Sequence, residues 1–330
     1  MIAADVLTAR LAGFLDARGL TADELLATVE TSYGEPLAIV ATGSVLSGFG
    51  NDRSDLDLNV VVDADDVRVV PIPAFKDELL VDTKYFTLAQ VEEWANELRD
   101  GPWPPSGRLT REGYRRRYLL LFHCVRFATG LALLESERFE TVAARLREPW
   151  LTDRVAGWWQ AEVVRSSLAA RWLAPVKPLL AAQRQCDAVL AALEREAALG
   201  GQLYFKPKWL SEKLRALGDE VGLEALRDAL RVPITASEAP EYLARCQADP
   251  GADELDAQLW YAPGVTVQPL RDSTLVSRWG LRGLELRGAT LPPVEPQAPL
   301  WQGPVASEPD PHRLALFVED LTWLSIVARA

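Results

Sequence analysis

Asp55 and Asp57 stand two residues apart in S-D-L-D-L-N-V-V-V, residues 54–62, at the head of an apolar run. Side chains on a strand alternate faces, so Asp55, Asp57 and Asn59 point one way while Leu56, Leu58 and Val60 point into a core. Two carboxylates at this spacing approach within about 6 Å and, at an effective dielectric near 20, repel by roughly 3 kcal/mol. A cation between them removes that penalty. Paired hard oxygens are the usual grip on Mg²⁺, which keeps waters and takes its remaining ligands from substrate phosphates. By this logic replacing either aspartate abolishes turnover and leaves the fold intact or slightly stabilised.

The same alternation in E-L-L-V-D-T-K-Y-F-T, residues 78–87, puts Asp82 and Lys84 on one face and Val81, Thr83 and Tyr85 on the other. A third carboxylate on a neighbouring strand completes a cluster for one or two divalent ions, able to hold a triphosphate and activate an attacking hydroxyl. Upstream, Gly43-Ser44 ends the apolar run L-A-I-V-A-T. A glycine at a strand-to-helix turn lets backbone N–H groups approach phosphate, and a serine hydroxyl adds a donor there.

Elements to position these residues are legible around them. Residues 5–17 and 21–32 read as short amphipathic helices, the first with the stripe Leu7, Leu11, Phe14 and Leu15, the second capped by Thr21 with Glu24 three residues on. Pro36 breaks the pattern, and strands follow over 37–42, 55–62 and 78–87. Residues 88–99 read as a helix and G-P-W-P-P-S-G, residues 101–107, as a linker. From about 110 the pattern turns helical, with helices expected over 131–147, 152–172, 176–199 and 222–230. Beyond Pro233 come a helix over 237–247, short strands in V-T-V-Q-P-L and L-V-S-R-W-G-L-R-G-L-E-L-R, and a closing helix near 312–328.

Gly43-Ser44, ten intervening residues, Asp55-Leu56-Asp57-Leu58 and then Asp82 in L-V-D-T-K-Y-F resemble the nucleotidyltransferase superfamily related to DNA polymerase beta. The likeness covers about residues 35–99; the D-x-D alone carries nothing. It implies an α+β fold, with a nucleotidyltransferase-type mixed β-sheet flanked by helices over 1–104. A helical bundle over 105–232 and a small C-terminal α+β domain over 233–330 would follow. It further implies that Asp55, Asp57 and Asp82 bind Mg²⁺ or Mn²⁺, with Asp82 also helping to deprotonate the acceptor, and that Gly43 and Ser44 hold the triphosphate of ATP or another NTP. The expected reaction is transfer of a nucleoside monophosphate, AMP from ATP first among them, to a hydroxyl or similar group, in a cleft between the first two domains. Members with a helical second domain often draw basic groups from it to the phosphates. Lys206 and Lys208 in Y-F-K-P-K-W are the candidates, in a chain with only six lysines against twenty-nine arginines. Arg115, Arg116 and Arg117 come second.

The whole chain narrows the partners. At 330 residues and 48% hydrophobic content it has ample material for more than one core. A net charge of −12 argues against gripping long nucleic acid, which needs a basic face to displace counterions. It leaves room for a small anionic co-substrate and, with the resemblance, favours a small-molecule acceptor of the aminoglycoside type. Three isolated cysteines and two histidines give no disulfide framework, zinc knuckle or Ser-His-Asp chemistry. The opening M-I-A-A-D-V-L lacks a basic, long-apolar signal segment, and no run is long enough to span a bilayer, so a cytoplasmic protein is expected.

Blander readings stand beside each of these. The aspartates can be the solvated face of a strand, Lys206 and Lys208 ordinary charges at a helix start, and Y-R-R-R-Y a solvated helix face. His123, between Phe122 and Cys124, reads as a core histidine, and the eleven tryptophans as packing, with Trp158, Trp159 and Trp279 able to line an acceptor pocket. Nucleotidylation of a protein or a tRNA end, and a nucleotide-binding scaffold without turnover, stay open as alternatives.

Overall fold

The computed structural model describes every residue except 1, 30–32, 66, 68–71, 77, 249–250, 252–253 and 330, and the side chain of Arg282. It is a mixed α and β protein that divides into two compact units. The first comprises residues 1–101, 118–155 and 197–213, the second residues 102–117, 156–196 and 214–330, so the helical stretch 105–232 contributes to both.

In the first unit, α1 (Ala4–Asp16) and α2 (Ala22–Leu26) lead into β1 (Pro36–Thr42) and the single turn α3 (Ser44–Ser47). There follow β2 (Leu56–Val62), β3 (Ile72–Lys76), β4 (Leu79–Thr87), α4 (Leu88–Asp100), α5 (Arg111–Thr129, from Tyr118 on), β5 (Leu131–Glu135) and α6 (Glu137–Leu146). The five strands form one mixed sheet in the order β3-β4-β2-β1-β5, with β2 and β4 parallel and the other neighbours antiparallel. Thr21 caps α2 in the expected box with Glu24, and Thr87 with Gln90 does the same where β4 runs into α4.

One sheet face is apolar: Leu56, Leu58, Val60, Val81 and Tyr85 pack with Leu7, Leu11 and Leu15 of α1 in a buried core. The other face is covered by α5, whose His123 and Phe127 lie 5.1 and 5.3 Å from the ring of Phe86. β2 is buried along its whole length, so both of its faces meet other elements.

The expected helix over 131–147 is two elements. Leu131–Glu135 pairs with the edge of β1 as β5, and only Glu137–Leu146 is helical, with the Ser136 hydroxyl accepting from the Phe139 amide at 3.4 Å. The switch follows from Gly130. A Cβ there would lie 2.6 Å from Val40 Cγ1 and 2.7 Å from the Ala41 carbonyl, so only glycine lets the chain press onto β1 as α5 ends. L-A-L-L-E then has an open strand edge to pair with.

In the second unit the helices are α7 (Trp150–Leu173, from Ala156 on), α8 (Pro178–Leu199, up to Glu196), α9 (Leu210–Leu217, from Leu214 on), α10 (Glu220–Ala229) and α11 (Ala239–Arg245). Its strands are β6 (Leu255–Tyr261), β7 (Val265–Pro269), β8 (Ser273–Arg278), β9 (Arg282–Arg287), β10 (Trp301–Pro304) and β11 (Thr322–Ala328). They make two antiparallel sheets, β10-β6-β11 and β7-β8-β9. The closing helix expected near 312–328 is α12 (Pro311–Val318) alone; Asp320 turns the chain at φ 60° and the β-branched run T-W-L-S-I-V-A pairs with β6. Trp158 is buried against Trp103 and Tyr114, at 4.9 and 4.6 Å between ring centres, and packs in a core. The three cysteines are buried and not joined in a disulfide. Among the described residues no helix is long and apolar enough to cross a membrane.

Candidate functional site

The leading sequence-predicted site residues fall in the first unit, Gly43, Ser44, Asp55, Asp57 and Asp82 from the sheet region and Lys206 and Lys208 from the segment 197–213, whereas Arg115, Arg116 and Arg117 belong to the second. Strand pairing sets the geometry. Thr42 of β1, Asp57 of β2 and Asp82 of β4 are register partners, and directly opposed residues share a face, so they form one polar row across three strands. Val40, Asn59 and Lys84 form the next row.

Asp57 and Asp82 therefore meet as expected, but they arrive already neutralised. Arg126 of α5 grips Asp57 through both of its terminal nitrogens, Nη1 to Oδ1 at 2.9 Å and Nη2 to Oδ2 at 2.8 Å. Lys84 Nζ donates to Asp82 Oδ2 at 2.7 Å and sits 3.5 Å from Asp57 Oδ1. Asp57 is 7% exposed and Arg126 6%, so this is a buried bidentate pair. Burial works against the Arg126 charge, yet the adjoining Asp57 carboxylate outweighs it and holds the guanidinium above its ordinary range. Asp55 lies one residue before β2, exposed to solvent, and its charge reaches the hydroxyl of Tyr204. Among the described residues no group of three or more acidic, histidine or cysteine side chains is gathered for a metal ion in this arrangement.

Gly43 adopts φ 100° and ψ −167°, a conformation nearly confined to glycine. A Cβ there would fall 2.6 Å from Asp57 Oδ2, so the bare backbone of the Gly-Ser turn lies directly against the carboxylate. Ser44, 7% exposed, opens the one-turn α3 that follows.

The segment Leu203–Trp209 brings Tyr204 and Lys206 to the same place. Tyr204 and Trp209 pack on Phe49, at 6.1 and 6.0 Å between ring centres, which fastens the segment beside α3. The Tyr204 hydroxyl accepts from the Arg126 guanidinium, and burial raises its own ionisation. Lys206 Nζ and Arg126 Cζ each lie 4.5 Å from the ring centre of Phe122, so two cations share one aromatic platform. Burial first, then repulsion from Arg126, lowers the Lys206 pKa. The Asp57 carboxylate acts the other way and partly offsets this. Lys208 is exposed, 5.3 Å from the Trp209 ring, and Lys206 is the inner of the two. Arg115 and Arg116 are exposed, whereas Arg117 is buried with its guanidinium 5.6 Å from the Trp103 ring.

Several buried polar atoms around the row have no hydrogen-bond partner among the described residues: Thr42 Oγ1, both side-chain atoms of Asn59, Asp82 Oδ1 and His123 Nδ1. Burial pushes His123 down to about 4, with Arg126 and Lys84 adding to the effect, so it is neutral at pH 7. It packs on Phe86 and Trp94, as a core histidine does.

Sequence reasoning missed Arg126 and Tyr204 and gave Lys84 no role. Arg126 had a signal: a charge inside F-H-C-V-R-F on an apolar helix has to find a buried partner. No model of a known protein family matches the chain, and no curated protein matches it in sequence.

Proposed function

We propose that the chain is a nucleotidyltransferase with a DNA polymerase beta-like fold in its first unit. It transfers a nucleoside monophosphate, AMP from ATP first among them, to a hydroxyl of a small-molecule acceptor and releases pyrophosphate. The observation that carries this reading is the register of Asp57 with Asp82 beside a glycine whose backbone lies against the Asp57 carboxylate.

The donor set suits a hard divalent ion. Asp82 Oδ1 is buried without a partner, Asp55 is open to solvent, and Asp57 offers its oxygens once Arg126 lets go. Mg²⁺ or Mn²⁺ held there would neutralise charge on the transferring phosphate and on the departing pyrophosphate. The chain's own groups do the rest. Lys206, with Lys208 at the rim, draws in the triphosphate, and the Gly43-Ser44 backbone lets it come close. Asp82, oriented by Lys84, accepts the proton of the acceptor hydroxyl. The acceptor oxygen forms its bond to the α-phosphorus as the bond from that phosphorus to the bridging oxygen breaks, and pyrophosphate leaves with the electron pair.

A second reading, a nucleotide-binding protein without turnover, is favoured by one observation: Arg126 and Lys84 already neutralise the two buried carboxylates. Incubation with Mg²⁺, ATP labelled in the α-phosphate and candidate acceptors separates the cases. Label on a small molecule supports the proposal. Label on protein or on a tRNA end moves the acceptor class, and nucleotide binding without pyrophosphate release supports the second reading.

A further inference from the structure

Arg126 holds both oxygens of Asp57, so a divalent ion and Arg126 cannot engage that carboxylate together. A metal drawn to Asp57 would also stand beside a guanidinium within 3 Å of the same oxygens, where like charges repel strongly. The guanidinium is not fully content where it is. Its Nε is buried with no hydrogen-bond partner among the described residues, and it shares the Phe122 ring with a second cation, Lys206, each 4.5 Å from the ring centre. An incoming triphosphate would answer both deficits at once, giving the idle Nε an acceptor and screening the two cations from one another.

We infer that Arg126 is a positioning residue that occupies Asp57 in the nucleotide-free protein and passes to the triphosphate when nucleotide binds, freeing Asp57 for the metal. This rests on the nucleotidyltransferase reading. It makes metal and nucleotide binding interdependent: the ion alone binds weakly because it competes with an internal cation, and the nucleotide removes the competitor. Such a coupling between two ligands is commonly worth a factor of about 5 to 150 in affinity.

The test is done on the full chain without turnover. Mn²⁺ binding to nucleotide-free wild type, Arg126→Gln and Arg126→Gln/Asp57→Asn is followed by the electron paramagnetic signal of the free ion. Binding of α,β-methylene-ATP is measured calorimetrically in EDTA. Arg126→Gln is expected to bind Mn²⁺ about tenfold tighter than wild type, and adding Asp57→Asn should erase that gain; its metal-free affinity for the analogue should fall about tenfold. Arg126→Lys, which keeps the charge with a single contact, should lie between them and serves if the glutamine variant does not fold. Unchanged Mn²⁺ affinity in a folded variant, or unchanged metal-free affinity for the analogue, overturns the exchange and leaves Arg126 a structural ion pair. If wild type binds neither Mn²⁺ nor the analogue under any condition, the nucleotidyltransferase reading itself fails and the exchange goes with it.

Discussion

Asp57→Ala sets two arguments against each other. Like-charge repulsion between Asp55 and Asp57 makes the substitution neutral or mildly stabilising. The tertiary structure reverses the sign, because the partner that matters is Arg126, held by two charge-assisted hydrogen bonds of 2.9 and 2.8 Å in a site less than a tenth exposed. Removing the carboxylate strands a buried guanidinium, and breaking a buried pair from one side costs about 3 to 5 kcal/mol. The Tyr204 oxygen remains as an acceptor for Arg126, and Lys84 keeps Asp82, so the lower end applies: about 3 kcal/mol. Asp55→Ala, at an exposed position, should change stability by no more than about 0.5 kcal/mol. Hydrogen exchange of the β2 and β4 amides reads this locally, and 3 kcal/mol appears as exchange faster by about a hundredfold. Asp57→Ala/Arg126→Met, which removes both charges, should recover much of the loss. Exchange in Asp57→Ala at or below the wild-type rate would show that repulsion dominates and that the Arg126 pair does not hold the site together.

Gly43→Ala combines a backbone conformation worth about 1 to 3 kcal/mol of strain with a Cβ 2.6 Å from Asp57 Oδ2. It should lose about 3 kcal/mol, against about 1 for Gly19→Ala, which has positive φ but nothing within 4 Å; equal losses in urea unfolding would mean the glycine does not press on Asp57. His123 ionises at about 4 in the folded chain, below its ordinary 6.5, so the unfolded chain takes up the proton first. Its contribution is complete above pH 6.5 and is lost as pH falls to about 4, amounting to about 3 kcal/mol at most. His123→Phe should flatten that part of the stability–pH curve, and parallel curves would refute the assignment. Lys206→Met should raise or leave unchanged the thermal midpoint of the free protein, since burial and Arg126 disfavour its charge. The same variant should weaken nucleotide binding about tenfold while sparing the acceptor; unchanged nucleotide affinity would return Lys206 to the solvent.

Much of the first unit is legible from local rules. Alternation over residues 54–62 and 78–87 sorts Leu56, Leu58, Val60, Val81 and Tyr85 from Asp57, Asn59, Asp82 and Lys84, and the chain packs them so. Thr21 with Glu24 marks a helix start through a contact three residues long. What misled were apolar runs whose periodicity suits either state. L-A-L-L-E after Gly130 and T-W-L-S-I-V-A after Asp320 become strands because β1 and β6 offer them edges, and an edge is not written in the run that pairs with it.

The same division runs through the candidate site. Local order along the chain fixes which residue types stand two apart, which turn carries the glycine, and that Asp57 and Asp82 face one way, because each of these depends on residues close in sequence. What balances those carboxylates emerges on folding. Arg126 lies 69 residues beyond Asp57, and Lys206 comes from a segment more distant still. A charge shows in a sequence, but its partner does not, because the distances that govern electrostatic energy exist only once helix α5 and the segment around Tyr204 have closed over the sheet.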